Sequence, residues 1–418
     1  MRIQMRAAGL TQLVGASVIA LSAAAPSAMA GGFDIQQQST VFMGSSSAGN
    51  AAGGSIGSMF WNPAATAQYS GLNTESSYIL VLPSGDVHVN SPTVFGRDSG
   101  EIGIDAVTSS SYGTYQFSKD LWLGMAINAP FGLATKPSDT TYAGSVLGQT
   151  TKLTTVNANP TIAYRIAPGI TIGAGIQIEW ARAKLRFDEV GGGFGNAQFK
   201  GDDWAFGATA GIMLEPARGT TIGLGYRSRM SHDFDGNLDQ PIVGRASAVG
   251  SIDLPDIVTL SLRQEITPTM RLLGSVQWSN WSRFEQLTLT SPGLAPIGGA
   301  LVVPANWNDG WMFAIGGEYD YSPFLTLRTG VSYEISPADS PEKRMTNIPD
   351  ADRVWLSVGA SYQWSDSITV DVAYSHIFVA DESFSRSPAS PFAIDQGPIT
   401  GTIEGSADLL SVGLRTRW

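Results

Sequence analysis

Few side chains in this sequence form a pattern that could carry out chemistry. The chain has three histidines, His88, His232 and His376, and no cysteine. His376 falls on the outward row of a predicted strand, and the other two fall in predicted loops. A hydrolase would need a serine and a histidine within hydrogen-bond reach, and no such constellation in the sequence is convincing. The sequence therefore predicts neither enzyme activity nor a cofactor.

Metal binding finds little support as well. Without cysteine, neither a disulfide nor a thiolate metal site can form. The segment "DFDGNLD" (233–239) has the acidic spacing of a calcium loop. Its glycine stands at the fourth place and no glutamate stands at the twelfth, so it departs from an EF-hand. We interpret 233–239 as a solvated acidic loop and predict no metal site, although the pattern leaves calcium open. The glycine-rich "GGGFG" (191–195) is interpreted as a plain loop.

The first thirty residues have the layout of a secretory signal peptide. Arg2 and Arg6 precede an apolar run, and Ala28-Met29-Ala30 forms a cleavage motif before Gly31. A single membrane anchor is the alternative, but the apolar run is short. Removing the two arginines leaves 23 basic residues against 36 acidic ones, a formal charge of −13. That acidity argues against a nucleic-acid partner.

Alternation of apolar and polar residues dominates the rest of the chain. In "ITIGAGIQIEW" (170–180) every even position is apolar, while the odd positions are small or polar. The same period recurs over 354–364, 368–378 and 410–418. Such segments run about 9–12 residues, the length that a tilted strand needs to cross a membrane, whereas soluble strands average about 5–6. The pattern predicts these fourteen strands: 74–82, 110–118, 121–129, 156–166, 170–181, 203–214, 220–228, 255–265, 270–281, 309–321, 324–335, 352–364, 367–378 and 407–418.

Aromatic residues and loop lengths indicate a membrane barrel rather than a soluble sandwich. Tight turns such as Lys119-Asp120 alternate with long polar segments such as 229–254 and 282–308, as in outer-membrane barrels. Only a closed barrel pairs every backbone group of strands in hydrocarbon. The fold prediction is an all-β, transmembrane antiparallel barrel of about 14 strands over residues 73–418. Rings at the strand ends fit the headgroup levels: Trp180, Trp204, Trp278, Trp311, Tyr319, Trp364 and Trp418.

A barrel of this width needs something to fill its lumen, or it is an open channel. Residues 31–72 precede the first strand, lack the period of two and carry Phe33, Phe60 and Trp61 among small residues. In the motif Asn62-Pro63-Ala64, proline suits the first position of a short helix. We predict an N-terminal plug, or hatch, of short helices inside the barrel; a disordered periplasmic tail is the alternative.

Several motifs, taken in order, resemble the FadL family of outer-membrane transporters of hydrophobic compounds, which includes TodX-like aromatic importers. The resemblance covers essentially the whole mature chain. It rests on "GGF" (31–33), "WNPAA" (61–65), "NAPFGLATKPSDTTYAG" (128–144), "ARAKLRF" (181–187), "GGEYDYSPFLTLRTGVSYEISPADSP" (316–341) and "NIPDADRVWLSVGASYQW" (347–364).

The resemblance implies a 14-stranded barrel closed by a hatch, with a hydrophobic ligand held in a pocket beside it. It makes Phe33, at the extreme N-terminus, a candidate ligand contact, and we add Phe60 and Trp61 of the hatch. It also implies a kink in the third strand that opens the wall sideways, which here falls on Pro130-Phe131-Gly132. Proline and glycine both weaken a strand ladder, although Pro130 could simply end the strand.

Basic residues are the candidates for a ligand carboxylate. Arg182 and Lys184 match the family's basic segment after the fifth strand. The alternation disagrees, because Arg182 continues the outward row of Trp180 and would meet lipopolysaccharide phosphates instead. By the same alternation Arg165, Arg227, Arg263 and Arg328 face the lumen. Paired with Glu179, Glu318 or Glu334, they are better explained as an interior salt-bridge network.

The sequence thus predicts a monomeric barrel in the bacterial outer membrane that takes up hydrophobic compounds such as long-chain fatty acids by passive transport. Release is expected to be lateral, into the outer membrane, with membrane lipid and lipopolysaccharide as surroundings. An importer of aromatic or alkane hydrocarbons with the same fold is one alternative. A porin for hydrophilic solutes is another, and a structural or adhesive barrel is the third.

Overall fold

The computed structural model describes residues 31–90, 98–188, 196–241, 244–387 and 398–418. The predicted signal peptide (1–30) and the glycine-rich segment 191–195 lie outside the described residues. None of the helices in the described ranges has both the length and the apolar run required to span a bilayer.

Within these ranges the chain forms twenty β-strands joined in one sheet. In chain order they are β1 (Leu72–Val89), β2 (Ala106–Gln116), β3 (Leu121–Asn128), β4 (Gly132–Thr135), β5 (Thr150–Ala167), β6 (Ile170–Asp188), β7 (Asn196–Ala217), β8 (Thr220–Arg227), β9 (Met230–Gln240), β10 (Gly244–Leu254), β11 (Ile257–Thr267), β12 (Met270–Ser279), β13 (Gln286–Thr290), β14 (Ala300–Pro304), β15 (Gly310–Ser322), β16 (Leu325–Ile335), β17 (Arg353–Gln363), β18 (Ile368–Val379), β19 (Glu382–Arg386) and β20 (Ile399–Arg417).

Fourteen of these strands form a closed antiparallel wall. The circuit runs through β1, β2, β3, β5, β6, β7, β8, β11, β12, β15, β16, β17, β18 and β20. It closes where β20 pairs with β1, from Asn73 opposite Arg417 to Val89 opposite Gly401. Closure gives each of the fourteen strands a neighbour on both sides, as a barrel in hydrocarbon requires. The predicted fold class is confirmed.

The alternation in the sequence separates a lipid face from a lumen face. On β6 the even positions Ile172 and Ile176 are exposed, whereas the odd positions Gln177 and Glu179 are buried inside. Apolar side chains therefore point outward and polar ones inward, the reverse of a soluble protein. Trp364 and Trp418 stand exposed at strand ends, and Trp204 stands exposed on β7 opposite Trp180, as expected for aromatic belts.

The strands extend further at the long-loop end than the sequence predicted. The predicted loop 229–254 is a hairpin of β9 and β10, and 282–308 contains the paired strands β13 and β14. Residues 233–239 and His232 therefore lie in a strand, not in a loop. These extensions stand beyond the aromatic belt, where the outward row need not be apolar. On β9 that row is Ser231, Asp233 and Asp235, so the contrast that identifies a membrane strand is lost there. The described residues contain no group of three acidic or histidine side chains that could hold a metal.

The hatch fills the lumen with short helices over Thr40–Met43, Asn50–Ala52, Ile56–Phe60 and Pro63–Gln68. Pro63 opens the last of these helices, and the side chain of Asn62 accepts a hydrogen bond from Ala64 N at 3.0 Å. The Asn62 amide also donates to the carbonyl oxygens of Ala51 and, across to β7, of Ile212. This motif therefore caps a helix and ties the hatch to the wall.

Buried polar groups of the wall hold the hatch in place. Glu75 on β1 is buried and accepts hydrogen bonds from the Ser39 hydroxyl at 2.6 Å, from Ser55 and from Gly57 N at 3.0 Å. On the opposite side, Arg227 donates to Phe60 O at 3.0 Å and lies over the Phe60 ring.

A salt-bridge network runs along the inner face of the neighbouring strands β11, β12, β15 and β16. Glu318 contacts the guanidinium groups of Arg263, Arg271 and Arg328 at 2.7–2.8 Å. The interior pairing expected for Arg263 and Arg328 is therefore present. Arg165 instead lies over the Trp122 ring, 4.8 Å from its centroid.

Candidate functional site

An apolar cavity lies between the hatch and the long-loop end of the barrel. Its empty volume is about 1280 Å³ with its open mouth included. Inward positions of several strands line it, among them Leu133, Leu153, Leu185, Phe187, Phe199, Phe234, Ile252, Leu289, Leu301 and Val303. A large apolar concavity with few polar groups is the form of a small-molecule binding site.

Phe33 forms the floor of this cavity. Its ring is buried and packs edge-on against Trp281 at 4.8 Å and Phe284 at 5.3 Å, with Trp307 at 5.6 Å between ring centroids. Edge-to-face packing of this kind favours a fixed ring orientation. The structure therefore places the predicted contact residue Phe33 on the cavity, in a cage of three aromatic rings.

One cation, Arg386, stands on the inward face at the cavity; Lys152 and Arg186 border the cavity but belong to the outward rows of β5 and β6. Arg386 donates to the carbonyl oxygens of Glu342 and, at 2.6 Å, of Pro304. Among the described residues no carboxylate forms an ion pair with any of these three cations, and burial lowers the pKa of Arg386. Together the apolar wall and Arg386 offer an amphipathic site for an organic anion.

The barrel wall is interrupted next to the cavity, at the predicted kink. β3 ends at Asn128, and the chain resumes at Gly132 as β4, which pairs with the same neighbour, β5. Asn128 pairs with Asn157, and Gly132 pairs with Thr154. The first and last residues of this stretch are thus four positions apart on the β3–β4 side and three positions apart on β5. One residue is therefore extra, as in a β-bulge. The Thr155 hydroxyl fills the gap by bonding with the backbone of Phe131.

The interruption leaves one edge of β2 without a strand partner. β2 pairs with β1 down to Ala106, but its pairing with β3 stops at Ser111. In the described chain, Ala106–Ser110 thus lack a neighbouring strand on the β3 side. The N-terminal segment covers the break from inside: Ile35 N donates to Pro130 O at 2.8 Å, and the Gln38 amide donates to Ala129 O at 2.8 Å.

Other predicted ligand contacts lie away from the cavity. Phe60 and Trp61 pack with Phe42, Met59 and Tyr112 in a separate cluster within the hatch. Short helices bury them against the wall, where Arg227 and Phe42 cover their rings.

Arg182 and Lys184 also fail to reach the cavity. The Arg182 side chain is 61% exposed, 3.9 Å from Asp202, and lies over the Trp180 ring at 4.9 Å. No bulge re-aims it, so the outward position given by the alternation holds and the one carried over from the family does not. Lys184 follows on the same face and pairs in register with Lys152 and Lys200.

Sequence reasoning missed most of the cavity lining, although β6 carried a signal. Its inward positions change from polar, at Gln177 and Glu179, to apolar at Leu185 and Phe187. A row of apolar lumen-facing residues that begins beyond the aromatic belt indicates an apolar cavity at the long-loop end of the barrel. The cage residues Trp281, Phe284 and Trp307 had no such signal, because they follow strands or lie in loops.

Comparison with known proteins agrees with this geometry. The profile of the family described as "Outer membrane protein transport protein (OMPP1/FadL/TodX)" matches residues 21–418. The chain belongs to this FadL/TodX family. It is therefore a transport protein of the outer membrane, and the predicted resemblance and location are confirmed.

Relatives and solved structures extend over nearly the whole chain. The long-chain fatty acid transport protein of Salmonella typhi is 27% identical over 94% of this chain and 95% of its own length. A FadL homologue from Pseudomonas aeruginosa matches with a TM-score of 0.82 at 20% identity, over 92% of this chain and 99% of that one. The toluene transporter TodX of P. putida matches with a TM-score of 0.69 at 15% identity, over 91% and 98%. At these identities the two structures show a shared fold.

Proposed function

We propose that this protein takes up long-chain fatty acids or related amphipathic carboxylates across the outer membrane without energy coupling. The observation that carries the proposal is the apolar cavity with the Arg386 guanidinium on its lining. Burial of an alkyl chain contributes about 0.8 kcal/mol per methylene, so an apolar cavity of this size suffices for affinity. The S. typhi relative named for fatty acid transport supports the same cargo.

An aromatic hydrocarbon is the second candidate, supported by the aromatic floor around Phe33 and by the fold shared with the toluene transporter. Arg386 separates the two cargos, because toluene has no group that needs a guanidinium. Replacement of Arg386 by glutamine should lower oleate uptake about tenfold or more, the effect of losing a charge-assisted hydrogen bond. It should leave toluene uptake unchanged.

Uptake of labelled oleate and labelled toluene, in cells lacking their own transporter, tests the cavity directly. Val303 lines the cavity on β14, whereas its neighbour Val302 is exposed on the other face. Val303→Asp should abolish uptake of both compounds, because a carboxylate in an apolar cavity costs several kcal/mol. Val302→Asp is the matched control and should transport normally. Entry of small sugars instead of either compound would contradict the proposal in favour of a porin.

Release is proposed to be lateral, through the break between Asn128 and Gly132 into the outer membrane. The stretch of β2 that has no neighbouring strand on the β3 side and the extra residue opposite β5 support this route. Replacing Ala129-Pro130-Phe131 by the two residues Thr-Val removes both the extra residue and the proline, so the wall can pair without interruption. This variant should fold and bind oleate but not import it. Import at the normal rate would indicate passage through the hatch.

The outer surface is proposed to bind lipopolysaccharide. Lys152, Lys184 and Lys200 form a cross-strand row outside the Trp180–Trp204 belt. None of the three has an ion pair among the described residues, and burial together with these neighbouring charges lowers the pKa of Lys184. Lipid phosphates at that depth would neutralise the row. Replacing all three by glutamine should reduce lipopolysaccharide retained by the purified protein; unchanged retention would contradict this assignment.

One copy of the chain is proposed to suffice, because the wall closes on itself through β1 and β20. In this proposal residues 31–72 act as the hatch and residues 73–418 as the barrel.

A further inference from the structure

The backbone nitrogen of Gly31 points at a buried carboxylate. It lies 2.9 Å from Glu334 Oε1 on β16, and the next amide, Gly32 N, donates to Asp350. A side chain at Gly31 would overlap with the Glu334 carboxylate. The first two nitrogens after the predicted cleavage site thus face two different acids within the barrel.

The charges around Gly31 do not balance in the chain as translated. Asp34, Glu334 and Asp350 are all buried; Arg353 bonds Asp350 and lies 3.8 Å from Glu334, and no cation among the described residues forms an ion pair with Asp34. Burial raises the pKa of Asp350 to about 6 and raises the pKa of Asp34 well above its usual range. Among the described residues, Asp34 Oδ1 has no hydrogen-bond partner. Buried charges normally require matching partners.

We propose that the mature chain begins at Gly31 and that its α-ammonium is the missing cation of this cluster. Hydrolysis of the Ala30–Gly31 bond leaves a carboxylate on Ala30 and an amine on Gly31, which takes up a proton from water. A secondary amide with one hydrogen then becomes an ammonium with three, directed at Glu334. Removal of the leader is therefore also the step that seats the hatch, independent of which cargo the protein carries.

Seating the ammonium has a structural consequence for the site. Gly31 and Gly32 lead directly into Phe33, the floor of the cavity, and then into the backbone pairs that cover the wall break. One extra residue before Gly31 restores the amide and removes the charge from the cluster. Such a chain should hold its N-terminus loosely while the barrel itself remains closed.

A double-mutant cycle between the N-terminus and Glu334 tests the proposal. The mature chain is released from a fusion by a protease that leaves Gly31 first, and compared with a chain extended by one serine, each with and without Glu334→Gln. We expect the extension to lower the thermal midpoint in the native background and to have less than half that effect in the Glu334→Gln background. Equal effects in both backgrounds would overturn the pairing.

Two further measurements use the native protein and do not depend on whether a variant folds. Intact mass of protein extracted from outer membranes should correspond to a chain starting at Gly31, and a different start would overturn the proposal. In the native protein, an amine-acylating reagent should modify Gly31 at least tenfold more slowly than in the urea-unfolded chain. The exposed Lys119 should react at similar rates in both states. A Gly31 amine that reacts equally fast in both states would also overturn it.

Discussion

The backbone amide of Gly132 donates a hydrogen bond to the carbonyl oxygen of Phe33 at 2.9 Å. Residues almost one hundred positions apart thereby join the floor of the cavity to the broken part of the wall. The ring of Phe33 packs in the aromatic cage while its carbonyl oxygen bonds the residue at which the wall resumes. We therefore expect a ligand that displaces Phe33 to weaken the hydrogen bonds between the N-terminal segment and the break in the wall as well.

Truncating Phe33 should loosen this cover without unfolding the hatch. Phe33→Ala removes a buried ring whose loss costs about 3–5 kcal/mol in protein cores. Hydrogen exchange at the Ile35 amide, which bonds Pro130 O, should accelerate about 100-fold or more. The Ala65 amide, bonded to Asn62 O elsewhere in the hatch, is the internal control and should keep its rate. Equal acceleration at both amides would show that the segment does not open separately.

Gly32 is required by its backbone conformation and by its neighbours. Its φ is +65°, and an added Cβ would lie 2.5 Å from the Trp281 ring. Gly32→Ala should therefore destabilise the seated N-terminus by more than about 1 kcal/mol. Limited proteolysis in detergent should cut near residue 35 in the variant and spare the parent protein. Gly244→Ala, also at positive φ but with open space around it, controls for strain alone.

Glu75 should determine how tightly the hatch closes the lumen. Glu75→Ala leaves the hydroxyls of Ser39 and Ser55 and the Gly57 amide without their acceptor, each at a cost of about 1–3 kcal/mol. Conductance of the reconstituted protein in planar bilayers should rise, because the hatch fluctuates. Glu404→Ala changes an exposed carboxylate near His88 and should leave conductance unchanged. Unchanged conductance of the Glu75→Ala variant would show that other residues hold the hatch in the lumen.

The Glu318 network should contribute much more stability than an exposed ion pair. Glu318→Gln leaves three guanidinium groups with reduced compensation, and breaking a buried pair costs about 3–5 kcal/mol. Urea unfolding from lipid vesicles should show this loss. Arg182→Gln breaks the exposed pair with Asp202 and should change the free energy of unfolding by less than about 1 kcal/mol. Similar losses in both variants would contradict the difference in burial.

The sequence by itself determined the barrel, because its strands alternate with a period of two. Every strand that crosses the membrane needs apolar side chains at its lipid-facing positions, and the alternation provides them. The same alternation predicted the exposed position of Arg182 and the inward positions of Arg263 and Arg328. It could not predict the strands β9, β10, β13 and β14. They lie outside the membrane, where the outward face of a strand does not need to be apolar.

Tertiary structure alone decided which residues meet at the site. Phe33 joins Trp281, Phe284 and Trp307 across some 250 positions, and Gly31 meets Glu334 across 303. Alternation reports which face a side chain occupies, but not which distant residue stands opposite when the wall closes around the hatch. Phe60 and Trp61 looked equally suited to a ligand, and the packing of the hatch turned them away from the cavity. Closure of the barrel, a long-range event, sets those distances.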